Sequence, residues 1–352
     1  MPVMFNTDTS NLIDRGSERL LNQLSALDLN EIGISDYNQR YLNQYIKNYP
    51  FYIDLYKQLL TTAIEELSMS VEQSVFLDYG GGCAFLSLLA KSIGFGKVIY
   101  SDIYDVSLND AKLISEKTTI RIDHFILGDV DELVDEITQK QLNPDLICSF
   151  DVLEHIYSLE KWFTSISRLK KSFSIVFMTS ANPYNPIIRN RLKKMQRQAE
   201  YEGTVEYWGM KKRDSKIPYL LARKEIIKEM LPNADDKTLN SCAKQTRGLH
   251  QKDISKVIDE YKKTGRINYT IKHPTNTCDP FTGNWTENLI DIKSLRSMLI
   301  LLGFKTEVIS GFYSYSNNKT LNFAKTILNH LIRCQRNWGL YLSSTYILKA
   351  KR

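Results

Sequence analysis

The stretch Ser74–Leu89, SVFLDYGGGCAFLSLL, constrains the fold more than any other part of the chain. Val75-Phe76-Leu77 reads as a buried strand with Asp78 at its end, and an apolar helix follows the glycines. Gly80, Gly81 and Gly82 allow a turn with φ > 0 and close approach of a ligand to the main chain. The helix behind the turn presents its first N–H groups and its positive dipole end. A strand, glycine turn and helix at the head of a β/α series predicts a nucleotide-cofactor site.

That series follows. Short apolar runs at Lys97–Ser101, His124–Leu127, Asp145–Phe150 and Ser174–Thr179 alternate with helical segments, the pattern of a parallel sheet. Asn182-Pro183 and Pro186 stop the fifth strand. Before it, residues 1–70 are helical in period, with Leu20, Leu21, Leu24 and Leu27 on one face and Tyr41, Tyr45 and Tyr49 at spacing four. Those tyrosines suit core packing, and the helices could also cover a pocket. Residues 187–287 break the rhythm and are polar and mostly helical, too long for a loop without its own structure. The α/β pattern resumes with a helix at Ile292–Leu302 closed by Gly303, a strand at Lys305–Ser310, a helix at Leu321–Arg336 and a strand at Leu340–Lys349. The two late strands are expected to pair antiparallel. The expected organisation is a helical extension over 1–70, a cofactor-binding core over 71–186, an acceptor-binding insertion over 187–287 and completion of the sheet over 288–352.

Composition narrows the class. The net charge of +6 is mild and the basic residues are dispersed, the densest being Arg189, Arg191, Lys193, Lys194 and Arg197, then Lys211-Lys212-Arg213. Such runs suit solvated helix faces better than a nucleic-acid surface. The five cysteines are far apart and form no CxxC pair, which suits reduced thiols in a cytoplasmic protein. The N-terminus lacks a secretory pattern and no apolar run reaches spanning length, so no membrane partner is expected.

A dinucleotide site requires G-x-G-x-x-G, and Phe85 stands where the third glycine belongs. The stretch instead resembles motif I of class I S-adenosylmethionine-dependent methyltransferases, an acid, one residue, then G-x-G-x-G. Asp78, Gly80 and Gly82 match, with Gly81 between them, and Ala84 replaces the last glycine. Asp102, with Ile103 beside it, closes strand two, where the family's acid takes the ribose hydroxyls. Asp129 and Val130 follow strand three, at the family's adenine position, and Phe150 opens FDVLEHI after strand four, a hallmark of the ubiquinone-type branch. The resemblance spans about residues 74–183 and returns at 290–350. It implies a Rossmann-like α/β fold, a mostly parallel seven-stranded sheet with helices on both faces, and S-adenosylmethionine as cofactor. The plainer reading of Asp78 and Asp102 is as turn or helix-cap residues, and their joint placement argues for ligand roles.

Methyl transfer to a hydroxyl needs an oriented acceptor and a base. His155 is the candidate base, with Asp151 beside it, against an equal reading as a packing histidine. On a helix Asp151, Glu154 and His155 would share one face and could ligate Mg²⁺, resembling the E-x-x-E-H metal site of ubiquinone-pathway and small-RNA methyltransferases. On the acceptor side stand His273, Asp279, Asn284 and Trp285 in the loop HPTNTCDPFTGNWTE, with Tyr207 and Trp208 in the insertion. That polar and aromatic mixture suits a sugar-like metabolite, though any one of these residues could equally be a packing anchor. The loop resembles those of bacterial sugar and secondary-metabolite pathways. The leading expectation is O-methylation of a small polar metabolite, a saccharide included. The alternatives are RNA 2′-O-methylation with a divalent metal, and a non-catalytic cofactor-binding or interaction module.

Overall fold

The computed structural model describes residues 7–169, 172–203, 214–314, 316, 318–334 and 338–352. Two compact units divide the chain. One holds residues 1–153, Ser158–Asn182 and Ile292–Arg352, the other Glu154–Tyr157 and Pro183–Asp291.

The first unit begins with helices α1 (Thr7–Ser25), α2 (Asp36–Lys47) and α3 (Tyr49–Ile64). Strands and helices then alternate: β1 (Val75–Tyr79), α4 (Phe85–Ile93), β2 (Lys97–Asp102), α5 (Asp105–Lys117), β3 (His124–Leu127), α6 (Val130–Gln139), β4 (Leu146–Phe150), α7 (Leu159–Ile166) and β5 (Ser174–Thr179). The second unit supplies α8 (Pro186–Tyr201), α9 (Tyr219–Met230), α10 (Asp236–Gln245) and α11 (Gln251–Thr264). The first resumes with α12 (Ile292–Leu301), β6 (Lys305–Ser310), α13 (Lys319–Cys334), α14 (Gly339–Leu342) and β7 (Tyr346–Lys351).

The seven strands form one sheet in the order β3-β2-β1-β4-β5-β7-β6. The first five are parallel, and β7 runs antiparallel between β5 and β6. This is the Rossmann-like methyltransferase fold expected. The order reverses beside β1, so the strand ends of β1 and β4 flank the switch point where such sheets bind ligands. Burial follows from the parallel arrangement, which covers both faces. Phe76, Val98, Leu146, Val176 and Ile347 pack with α1, α3 and α4 on one face. On the other, Trp162 of α7 lies against Tyr79 and Phe177, and Phe163 meets Phe304.

The late part of the chain differs from expectation in one place. Leu340–Leu342 is helical, and the last strand starts only at Tyr346. Asn182 accounts for the break, because its side-chain amide binds the carbonyls of Leu340 and Ser343 and holds the chain off the ladder. The cysteines among the described residues are free thiols. Among the described residues no helix is long and apolar enough to cross a membrane.

The second unit has its own apolar core, Ile226, Ile227, Leu239, Ile254 and Ile258 from α9, α10 and α11. It also buries a charge pair. Arg223 donates to Glu200 at 2.5 Å, and Thr277 donates to the other oxygen of Glu200 at 2.7 Å. That pairing ties α8 and α9 to the 273–288 loop.

Candidate active site

The glycine turn is folded against the end of β2. Gly80 and Gly81 both donate to the Ser101 carbonyl, at 2.8 and 3.0 Å. Gly82 donates to Asp102 Oδ2 at 3.0 Å, and the Tyr100 hydroxyl donates to the Gly82 carbonyl at 2.7 Å. Ala84 donates to the Gly81 carbonyl. The N–H groups of Gly80, Gly81, Gly82 and Ala84 are therefore spent on Ser101, Asp102 and the turn itself. What it offers instead is space. At Gly81 a Cβ would sit 2.5 Å from the Tyr100 ring and 2.8 Å from the Asp78 carboxylate, whereas nothing lies within 4 Å of one built at Gly82. Ala84 holds φ 63°, the left-handed region a glycine would occupy without strain.

Acids gather at the ends of the strands. Asp78 is buried and accepts from the Ser87 hydroxyl of α4 at 2.7 Å. Burial pushes its carboxyl up to about 7, against the opposing Ser87 hydrogen bonds. Asp102 accepts from Gly82 on one oxygen and from the Tyr104 N–H, at 2.8 Å, on the other. Each oxygen keeps a second acceptor site for a hydroxyl. Ile103 beside it is exposed. Asp129 caps α6 in a reciprocal box with Glu132 and accepts from the Tyr79 hydroxyl at 3.3 Å. Val130 is buried. Phe150 ends β4 with its ring 5.0 Å from that of Tyr56.

Sequence reading missed what backs this cluster. Tyr45 and Tyr56 pack on Phe85 at 4.8 and 5.1 Å. Burial raises both phenols well above their ordinary range, so they remain protonated. Phe85 therefore fills, with aromatics from the N-terminal helices, the place where a dinucleotide fold needs glycine. The tyrosine spacing marked a helix face but not what that face would meet.

Asp151 and His155 are not on one helix. Asp151 has φ 53°, and its carboxylate accepts from the Ser180 N–H at 2.6 Å. Only Leu153–His155 is helical, as a single 3₁₀ turn. The expected Asp151, Glu154 and His155 face is corrected for that reason. In the second unit Glu154 and His155 instead meet Glu287, with ligand-capable atoms of the three within 4.8 Å of one another. The loop that carries Glu287 is pinned. Asn288 donates to the Glu154 carbonyl, and the Trp285 indole donates to the Tyr157 carbonyl at 3.0 Å. His155 Nδ1 lies 2.8 Å from the Trp285 carbonyl, so that nitrogen carries the proton and donates. Nε2 is left as the basic nitrogen, 3.9 Å from Glu287 Oε1. In the sequence Glu287 stands out only as the end of the loop.

The remaining acceptor-side candidates divide. Asp279 is buried and accepts from the N–H groups of Ser215, Phe281 and Thr282, so it shapes the loop and its acceptor role is corrected. His273 Nδ1 accepts from the N–H groups of Thr275 and Asn276, likewise a turn contact. Asn284 and Trp285 are half-buried, and the Trp285 ring stacks on Tyr157, itself stacked on His250. Tyr207 and Trp208 lie outside the described residues.

The turn and its acids fit S-adenosylmethionine. Gly81 admits no side chain, Gly82 faces open space, Asp102 retains acceptor capacity for ribose hydroxyls, and the surrounding acids suit a sulfonium cation. Asp102→Ala should weaken binding of this cofactor by about 1.5–3 kcal/mol in calorimetry, since a charged hydrogen-bond acceptor is lost. Unchanged affinity would place the ribose elsewhere.

Comparison with known proteins finds similarity to methyltransferases. Residues 70–235 match the model of a methyltransferase domain family. No curated relative matches the chain. Among solved structures, an S-adenosylmethionine-dependent methyltransferase from Mesorhizobium loti is 15% identical, with 84% of this chain and 98% of that one covered and a TM-score of 0.39. A putative enzyme of the same description from Listeria monocytogenes is 13% identical, covering 85% and 98%, with a TM-score of 0.40. Magnesium protoporphyrin IX methyltransferase from Synechocystis, with S-adenosylhomocysteine bound, is 12% identical, covering 89% and 92%, at 0.38. The match over residues 70–235, with the sheet order, is what this chain shares with methyltransferase domains.

Proposed function

We propose that the chain methylates a hydroxyl of a small polar, sugar-like metabolite, with His155 as the base. The observation that carries this is the bond from His155 Nδ1–H to the Trp285 carbonyl, which leaves Nε2 as the proton acceptor. S-adenosylmethionine, held by the Gly80–Gly82 turn and Asp102, supplies an activated methyl group. His155 Nε2 takes the acceptor's hydroxyl proton, and Glu287, 3.9 Å away, faces the imidazolium that results. The Trp285 carbonyl keeps the ring from turning over. Asn284 and the Trp285 face are the remaining acceptor contacts, residues 187–287 form the acceptor-binding part, and the helices of 1–70 back the cofactor core. RNA methylation and a non-catalytic module are not favoured. The test is release of S-adenosylhomocysteine over a panel of saccharides and other hydroxylated metabolites. Turnover only on amines or carbon acids would sink the oxygen assignment.

The convergence of Glu154, His155 and Glu287 favours a second reading, in which these three residues would hold a divalent ion that would act as a Lewis acid toward the acceptor hydroxyl. One imidazole with two carboxylates suits Mn²⁺ or Zn²⁺ better than the all-oxygen preference of Mg²⁺. Chelator should then abolish turnover and Mn²⁺ restore it, with Glu287→Gln weakening Mn²⁺ binding at least about tenfold. Full activity in chelator would leave His155 as the base alone.

A further inference from the structure

α13 packs on its domain by its polar side. Its sequence, KTLNFAKTILNHLIRC, is amphipathic at helical spacing, and such a helix ordinarily turns its apolar stripe to the core. Here Asn329 exchanges two hydrogen bonds with the main chain of Tyr313, at 2.8 and 2.9 Å. Asn322 does the same with Ser316. Lys325 donates to the Ser314 carbonyl at 2.8 Å. Ile332 is the apolar side chain of the helix that is buried. The opposite side exposes Phe323 by 71%, Ile327 by 50% and Leu331 by 45%. Five directional bonds to the 313–316 segment hold that face outward, so it cannot roll in without breaking them.

Charge identifies the occupant. α13 carries Lys319, Lys325 and Arg333 and no acidic residue. At 100° per residue, exposed Lys319 and Arg333 fall about 40° and about 80° from Phe323 around the helix, along one border of the stripe. Trp338 and Tyr341, just beyond the helix, are also exposed. Two copies meeting through this face would set like charges beside one another. A partner that is apolar in depth and negative at its rim complements it, and that is the chemistry of an anionic bilayer surface. We infer that α13 lies in the headgroup boundary of a membrane rich in anionic lipid. Phe323, Ile327 and Leu331 enter the acyl edge, Lys319 and Arg333 meet the headgroups, and Trp338 and Tyr341 sit at the interface. No spanning segment is required, and the inference does not rest on the transfer chemistry.

Flotation of the full chain with vesicles tests it. Vesicles of equal parts phosphatidylcholine and phosphatidylglycerol should recover the protein, and phosphatidylcholine alone should recover at least about tenfold less. Phe323→Glu with Ile327→Glu should lower recovery at least about tenfold. Lys319→Glu with Arg333→Glu should lower it by about fivefold per residue at low salt, with the apolar stripe intact. These four side chains are exposed, so circular dichroism and melting temperature should not change. Failure of anionic vesicles to recover the native chain, or recovery indifferent to both double variants, overturns the inference. So does a dimer in sedimentation velocity, without vesicle binding, that Phe323→Glu with Ile327→Glu splits into monomers, since the face would then belong to a second copy.

Discussion

Replacing His155 by alanine should lower turnover by about 10²–10⁴-fold while leaving S-adenosylmethionine affinity within about twofold. The reason is geometric. Nδ1–H donates to the Trp285 carbonyl, so Nε2 is the one ring nitrogen able to accept a proton. Alanine removes that acceptor, while the cofactor turn is held by bonds from Gly80, Gly81 and Gly82 to Ser101 and Asp102. His155→Gln is the informative companion. It can keep a donor toward the Trp285 carbonyl, so loss of turnover there separates proton transfer from loop positioning. A loop effect alone would appear as a raised KM with kcat retained. Activity of the alanine variant at the native level would return His155 to a packing role, its 2.8 Å bond then serving only to hold the loop.

Asp78→Asn should stabilise the protein at pH 8 by on the order of 3 kcal/mol and flatten its pH profile between about 4 and 7. Burial raises the Asp78 carboxyl in the folded state from 3.8 to about 7. The folded chain thus binds a proton across that interval that the unfolded chain has released. Stability from this group is complete below the unfolded value and is lost as pH rises through the folded one. Asparagine is neutral, nearly the same size, and its carbonyl can still accept from the Ser87 hydroxyl. Thermal denaturation at pH 5 and pH 8 reads the effect directly. A native protein whose melting temperature does not fall between these values, other groups being matched in the variant, would mean that Asp78 is ionised at low cost. A cation bound at the turn would have the same influence, so the comparison is made with and without S-adenosylmethionine.

The parallel sheet was legible because its strands are short and apolar, the first four followed by an acid or glycine and the fifth by Asn182-Pro183. Asp78, Asp102 and Asp129 fall at strand ends by local rules alone, since a buried strand must stop where the chain turns polar. Phe85 weighed against the dinucleotide alternative on its size, and in the fold it packs on Tyr45 and Tyr56. The Asp151–His155 segment misled for an equally local reason. Its i, i+3, i+4 spacing favours a shared helix face, but the bond from Ser180 N–H captures Asp151 with positive φ and ends that register.

The sequence by itself determined the β/α order, the acid at each cofactor-side strand end and the small residues of the turn, because these depend on near neighbours and on apolar period. Only tertiary structure decided which groups the turn's N–H donors would meet, that Glu287 joins His155 across 132 positions of chain, and that Asp279 serves its own loop. It alone decided which side of α13 faces inward. Hydrophobic period predicts the apolar side, yet five hydrogen bonds from Asn322, Lys325 and Asn329 to a short segment hold the polar side there. Contacts between residues distant in sequence, which no local pattern encodes, set each of these outcomes.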